Sequence, residues 1–154
     1  RPERNGNLIV VTPIQGLDLS VIGNVNASKF TNVIPAFAVS NPRAADGQEL
    51  FNTPPYNWRL DADYDTKLAN GWDLLAHASA TWVDQTKNQD PTVDVLKSYS
   101  LFNASFGVRR GAYEFRLFGE NLSDERGPTA ANGPTLLAGP RPRTFGISVR
   151  AHMN

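Results

Sequence analysis

The 154 residues predict an all-β fold: an antiparallel, up-and-down transmembrane β-barrel segment of about seven long strands. Three observations carry that expectation. Apolar and polar residues alternate with period two in seven separate segments, the spacing that places one residue type on each face of a strand. The segments run for roughly 10–14 residues, about twice the usual strand of a soluble sheet. The connections between them alternate between tight and long, as in outer-membrane barrels.

In chain order, residues 8–14 (LIVVTPI) form the first segment. Residues 17–30 form the second, with Leu17, Leu19, Val21, Val25 and Ala27 on one parity. Residues 56–68 (YNWRLDADYDTKL) alternate most clearly: Tyr56, Trp58, Leu60, Ala62 and Tyr64 against Asn57, Arg59, Asp61, Asp63, Asp65 and Lys67. Residues 72–82 (WDLLAHASATW) follow. Residues 99–109 place Phe102, Ala104, Phe106 and Val108 together, and residues 113–122 set Tyr113, Phe115 and Leu117 against Glu114, Arg116 and Glu120. The last segment, residues 143–153, sets Phe145, Ile147, Val149, Ala151 and Met153 against Thr144, Gly146, Ser148, Arg150 and His152. No helical period is visible. PIQGL, ANGW and RRGAY carry Gly or Asn-Gly where a hairpin needs positive φ. The long, polar, Pro- and Gly-rich connections cover residues 31–55, 87–98 and 123–142.

The WDLLAHASATW segment shows why the strands should face lipid. Trp72 and Trp82 stand at its ends, with Leu74, Ala76, Ala78 and Ala80 between them on the same parity. Ten steps at roughly 3.3 Å span about 33 Å, and a tilt of about 40° turns that into a height of roughly 25 Å. This is about the height of an outer-membrane barrel's apolar band, whose edges carry aromatic girdles. Indole rings prefer the two interfaces, and lipid tails supply the bulk that Ala does not.

The polar parity defines an inner, lumen face. Arg59, Asp61, Asp63, Asp65 and Lys67 would line it from one strand, and Glu114, Arg116, Arg150 and His152 from the last two. Little enzymatic chemistry is legible. The formal net charge is zero, which gives no reason to expect a nucleic-acid partner. The absence of cysteine excludes a disulfide framework and a thiolate site. Asp61, Asp63 and Asp65 open like a calcium loop, but Thr66 stands where that loop needs Gly and Trp72 where it needs Glu. His77 and His152 have no ligand-spaced partner. No nucleophile elbow, P-loop or dinucleotide fingerprint occurs. Asn26, Asn103 and Asn121 head N-x-S sequons that carry no meaning on strands of a bacterial-looking protein. The expectation is a protein without enzymatic activity: no catalytic residue, no cofactor, no metal, and ligand-binding residues unassigned. The abrupt opening RPERNGNLIVV reads as the middle of a longer or processed chain.

Four stretches, in order, resemble TonB-dependent outer-membrane receptors. GQELFNTPPYNWRLDADYD resembles that family's loop-to-strand stretch, and SYSLFNASFGVR its Y-x-L-x-N-A-x-x-G strand. FGENLSDERG resembles its penultimate-strand signature, and PRPRTFGISVR its closing strand. The resemblance implies that residues 1–154 are the C-terminal part of a 22-stranded barrel, with the plug domain absent from this sequence. It implies uptake of a scarce ligand such as a ferric siderophore across the outer membrane of a Gram-negative bacterium. The implied partners are outer-membrane lipid, TonB acting through the plug region, and the barrel-assembly machinery. The final Asn154 departs from the aromatic residue that usually ends the family. Two other readings stay open: a complete small outer-membrane barrel of about eight strands, and a soluble β-sandwich binding module.

Overall fold

The computed structural model describes residues 6–10, 14–40, 42–88, 95–132 and 136–151. Strands β1 (Gly6–Val10), β2 (Leu17–Val25), β3 (Tyr56–Lys67) and β4 (Asp73–Val83) come first. A small hairpin of β5 (Thr86–Lys87) and β6 (Val95–Leu96) leads to β7 (Tyr99–Arg110) and β8 (Tyr113–Glu120). A second small hairpin, β9 (Ala130–Asn132) with β10 (Leu136–Ala138), precedes β11 (Thr144–Ala151). The main sheet has seven strands in the order β1-β2-β3-β4-β7-β8-β11, and each neighbouring pair is antiparallel. Apart from the two hairpins in the loops, order in space equals order in sequence. This is the up-and-down sheet that the alternation predicts.

Boundaries and loops needed correction. β2 ends at Val25, short of residue 30, because the chain turns away once the Asn26 amide has bonded to the Pro55 carbonyl at 2.8 Å. β8 ends at Glu120, because Asn121 takes a positive φ of 49°. Residues 11–13 of the first predicted segment, and His152 and Met153 of the last, lie outside the described residues. The long loops hold structure that the sequence did not announce: the two hairpins, a helix α1 (Pro35–Ser40) and a 3-10 turn over Pro42–Ala44. Six residues are too few to show a helical period, and the helix opens on Pro35, where a missing N–H is tolerated. The loops are also tied together: the Asn52 amide bonds to the Lys87 carbonyl at 2.8 Å, and the Asn88 amide reaches the Ala131 carbonyl at 3.1 Å.

The tight turns use glycine in two ways. Gly16 has φ of +83°, and a Cβ there would come within 3.1 Å of the Asp65 carbonyl carbon on β3. Gly71, in the β3–β4 turn, has φ of +79° with open space around it. Gly16→Ala is therefore expected to cost about 2–3 kcal/mol, strain plus clash, and Gly71→Ala only about 1 kcal/mol, the left-handed conformation alone. Denaturant midpoints of the two variants check this; equal shifts would mean that the contact with Asp65 does not matter.

The register places apolar side chains on one continuous face. Leu60 lies opposite Ala80, Ala62 opposite Ala78, Phe106 opposite Ala76 and Leu117, and Phe115 opposite Val108 and Val149. Trp58 and Trp82 are direct neighbours near the long-loop end. Near the tight-turn end, the Arg110 guanidinium sits 5.5 Å from the centre of the Trp72 ring.

Among the described residues no second layer covers this face. Leu60 is 38 % exposed, Phe106 53 % and Ile147 73 %, and Trp58, Phe102, Phe115, Leu117, Phe145 and Val149 are likewise exposed. The buried apolar residues among those described are only Ala44, Leu75 and Leu96, none of them on that face. Burying one such large side chain is worth about 1.5–3 kcal/mol. Nine of them left half in water forgo on the order of 10 kcal/mol, comparable to the whole stability of an ordinary domain. The face requires an apolar medium. A soluble sandwich would supply a second sheet there, and none of the described residues forms one.

Candidate functional site

The opposite face is polar and in part sheltered. Residues from β3, β4, β7, β8 and β11 line one shared depression of about 610 Å³. Five adjacent strands span roughly 19 Å at 4.8 Å each. Their side chains share one depression only if the sheet curls around its polar side. Concavity explains the burial: the Asp61 side chain is 17 % exposed and that of Glu114 8 %.

Every described member of the predicted lumen set falls on this face, and the structure supplies most of them with partners. Asp61, Asp63 and Asp65 do not converge. Arg59 grips Asp61 through Nε and Nη2, both at 2.7 Å. Asp63 accepts from His77 Nδ1 at 2.8 Å; an ionised carboxylate only accepts, so Nδ1 carries the proton. Asp65 pairs with Arg109 at 3.4 Å, and Arg109 also bonds Asp73 through Nε at 3.0 Å. Glu114 lies 3.2 Å from Arg116 and 4.0 Å from Arg150. His152 lies outside the described residues.

Lys67 falls on the same face as expected but makes no ion pair among the described residues. Register explains this: Arg109 stands opposite Asp73, which itself stands opposite Lys67, and takes the bridging place between Asp73 and Asp65. Arg109 and Asp73 were legible in principle, since both share the parity opposite Val108 and Leu74.

The sequence also gave no reason to single out Asn103 and Asn121 beyond their sequons. Asn121 is 4 % exposed and joins the two motifs at the C-terminal end. Its amide nitrogen donates to the Glu125 carbonyl at 2.9 Å and the Arg141 carbonyl at 2.8 Å. Its side-chain oxygen accepts from the Glu125 N–H at 2.9 Å and from the Ser123 hydroxyl at 3.1 Å. Its own backbone N–H donates to Asn103 Oδ1 at 2.9 Å. One side chain thus ties the end of β8 to the loop that enters β11.

With a curled up-and-down sheet, apolar outside and polar inside, the family comparison becomes decisive. Residues 11–122 match the family model described as TonB dependent receptor-like, beta-barrel. The chain belongs to this family. No curated protein matches it. Among solved structures, the ferric yersiniabactin uptake receptor FyuA from Yersinia pestis is similar, with a TM-score of 0.70 at 21 % identity, over 90 % of this chain and 21 % of that one. At that identity the likeness shows the fold, and the chain spans about a fifth of that receptor's length.

Just beyond β8 of the receptor wall, Asp124 is held below the usual carboxylate range, first by a hydrogen bond from Arg126 at 2.9 Å and further by the charges of Arg126 and Arg143. A depressed carboxylate contributes stability above its unfolded value of about 3.9 and loses it as pH falls through the lower folded value. The melting midpoint of the wild type should therefore drop more steeply than that of Asp124→Asn below about pH 4. Parallel curves would show that this cluster adds nothing to the loop.

Proposed function

We propose that this chain forms part of the wall of an outer-membrane uptake receptor, and that the complete receptor takes in a scarce ligand, a ferric siderophore or a similar chelate. Residues 1–154 are read as the C-terminal part of a 22-stranded barrel whose plug domain lies outside this sequence. The observation that carries the reading is the inversion of burial: large apolar side chains stand exposed on one face while the Asp61 and Glu114 carboxylates are sheltered on the other. Family membership and the likeness to a siderophore uptake receptor support it. The apolar face meets outer-membrane lipid, the polar face surrounds the plug, and TonB acts through that plug. The barrel-assembly machinery inserts the chain. The wall's part is non-enzymatic: it excludes lipid, presents ordered outer loops and offers a hydrated, charge-balanced path.

Two measurements test this. The complete natural polypeptide, folded in detergent, should migrate differently on a gel before and after boiling; unchanged mobility would count against a closed barrel. A strain lacking it should lose growth on one ferric chelate under iron restriction. Unimpaired growth on every ferric chelate tried would remove the iron reading and leave the barrel reading standing.

A further inference from the structure

We propose that the inner wall carries a binding site for an oxyanion, a carboxylate or phosphate group, built by Arg116 and Arg150 with the Ser148 hydroxyl between them. The inference rests on the barrel reading, because it needs this face to be a lumen.

The register creates the cluster. Arg150 on β11 lies opposite Glu114 on β8, and Ser148 lies opposite Arg116. Gly107 on β7 lies opposite Arg116 on the other side, and a Cβ there would come within 3.3 Å of the Arg116 Cβ. The absence of a side chain at Gly107 makes room for the arginine stem. All three proposed ligand groups line the 610 Å³ depression.

Of the arginines that the strands place on this wall, Arg116 and Arg150 are the least committed to partners. Arg59 spends two N–H groups on Asp61, and Arg109 is shared by Asp65 and Asp73. Arg116 and Arg150 instead converge on one oxygen, Glu114 Oε1, at 3.2 and 4.0 Å. Each guanidinium has five N–H donors in a fixed fork suited to carboxylate and phosphate. Arg116 Nε is buried and has no hydrogen-bond partner. A buried donor left unpaired carries a desolvation cost, which an acceptor in the depression would remove.

The rest of the wall gives the site its sign. Asp18 and Asp63 lie directly opposite each other on β2 and β3, with Asp61 and Asp65 alongside. Like charges placed so are repulsive, and they disfavour an anion on that side of the sheet. The depression, by contrast, is lined by Arg59, Arg116, Arg141 and Arg150 and by one carboxylate, Glu120. An anion inside the barrel is directed there. Its source is either a free anionic solute or a carboxylate of the polypeptide filling the lumen, and the test separates the two.

The probe is inorganic phosphate, titrated against the complete natural polypeptide folded in detergent, with chloride at matched ionic strength as reference and heat-modifiable gel mobility as the check that each variant forms a barrel. For a free-solute site, Arg150→Gln should weaken phosphate binding about tenfold, the loss of one charge-assisted hydrogen bond. Glu114→Gln should tighten it by a similar factor, because the competing carboxylate is gone. Arg126→Gln, outside the depression, should leave it unchanged. If the site is filled by the chain's own carboxylate, the intact receptor shows no phosphate effect, and the same series appears once the lumen-filling domain has been removed from it. A heat-modifiable barrel whose phosphate binding is absent in both forms, or indifferent to Arg150 and Glu114, overturns the site and leaves the receptor reading intact. Loss of heat-modifiable mobility in the wild type overturns both.

Discussion

Asn121→Ala should destabilise the folded barrel by about 3–5 kcal/mol, the upper end of single-substitution effects. The amide makes two donor and two acceptor contacts in a buried place. Its removal leaves the Glu125 N–H and the carbonyls of Glu125 and Arg141 unpaired, at about 1–3 kcal/mol for each buried group that water cannot reach. Alanine also suits the φ of 49° poorly, which adds about 1 kcal/mol. Two further variants separate these terms. Asn121→Gly relieves the backbone strain but not the lost bonds, and should recover only about 1 kcal/mol. Asn121→Asp keeps the acceptors and loses both donors, and should fall between wild type and Ala. The measurement is the temperature at which detergent-folded protein loses heat-modifiable mobility. If Gly restores the wild-type value, the backbone angle and not the amide is what matters.

Ala78→Arg should block stable insertion into phospholipid vesicles, whereas Ser105→Arg should not. Ala78 lies at the middle of β4 on the apolar face, between Ala62 and Ala104. A guanidinium at the bilayer midplane costs about 2–4 kcal/mol, enough to move most of the chains from folded to unfolded at marginal stability. Ser105 stands in the neighbouring β7 on the concave face, opposite His77 and Phe118, where water is expected. The folded fraction after dilution into vesicles reads the difference. Equal tolerance of the two arginines would defeat the assignment of faces, and with it the lumen and the anion site.

How much was legible follows from which interactions are local. Period two survives in a single strand, so Tyr56–Lys67 could be recognised from its own residues. Tight turns are equally local: the four residues around Gly71 carry their own hairpin signal. Register is not local. Lys67 and Arg109 are equally plausible partners for Asp65 by parity, and only the pairing of β4 with β7 brings Arg109 into reach. Asn121 was hidden for a similar reason. Its partners lie at Asn103 and Arg141, and nothing in an N-L-S triplet announces that those carbonyl and amide groups will converge. The helix Pro35–Ser40 was missed because a turn and a half has no period to detect.

From its amino-acid order alone the chain specified strands, their two chemically distinct faces and the direction in which the apolar one must look for company, because side-chain alternation is a property of each strand taken singly. Which charges neutralise one another, where a buried amide knots two motifs together, and which guanidiniums are left with donors to spare depended on the sheet once assembled. Those outcomes are set by cross-strand register and by curvature, and both arise from contacts between residues tens of positions apart.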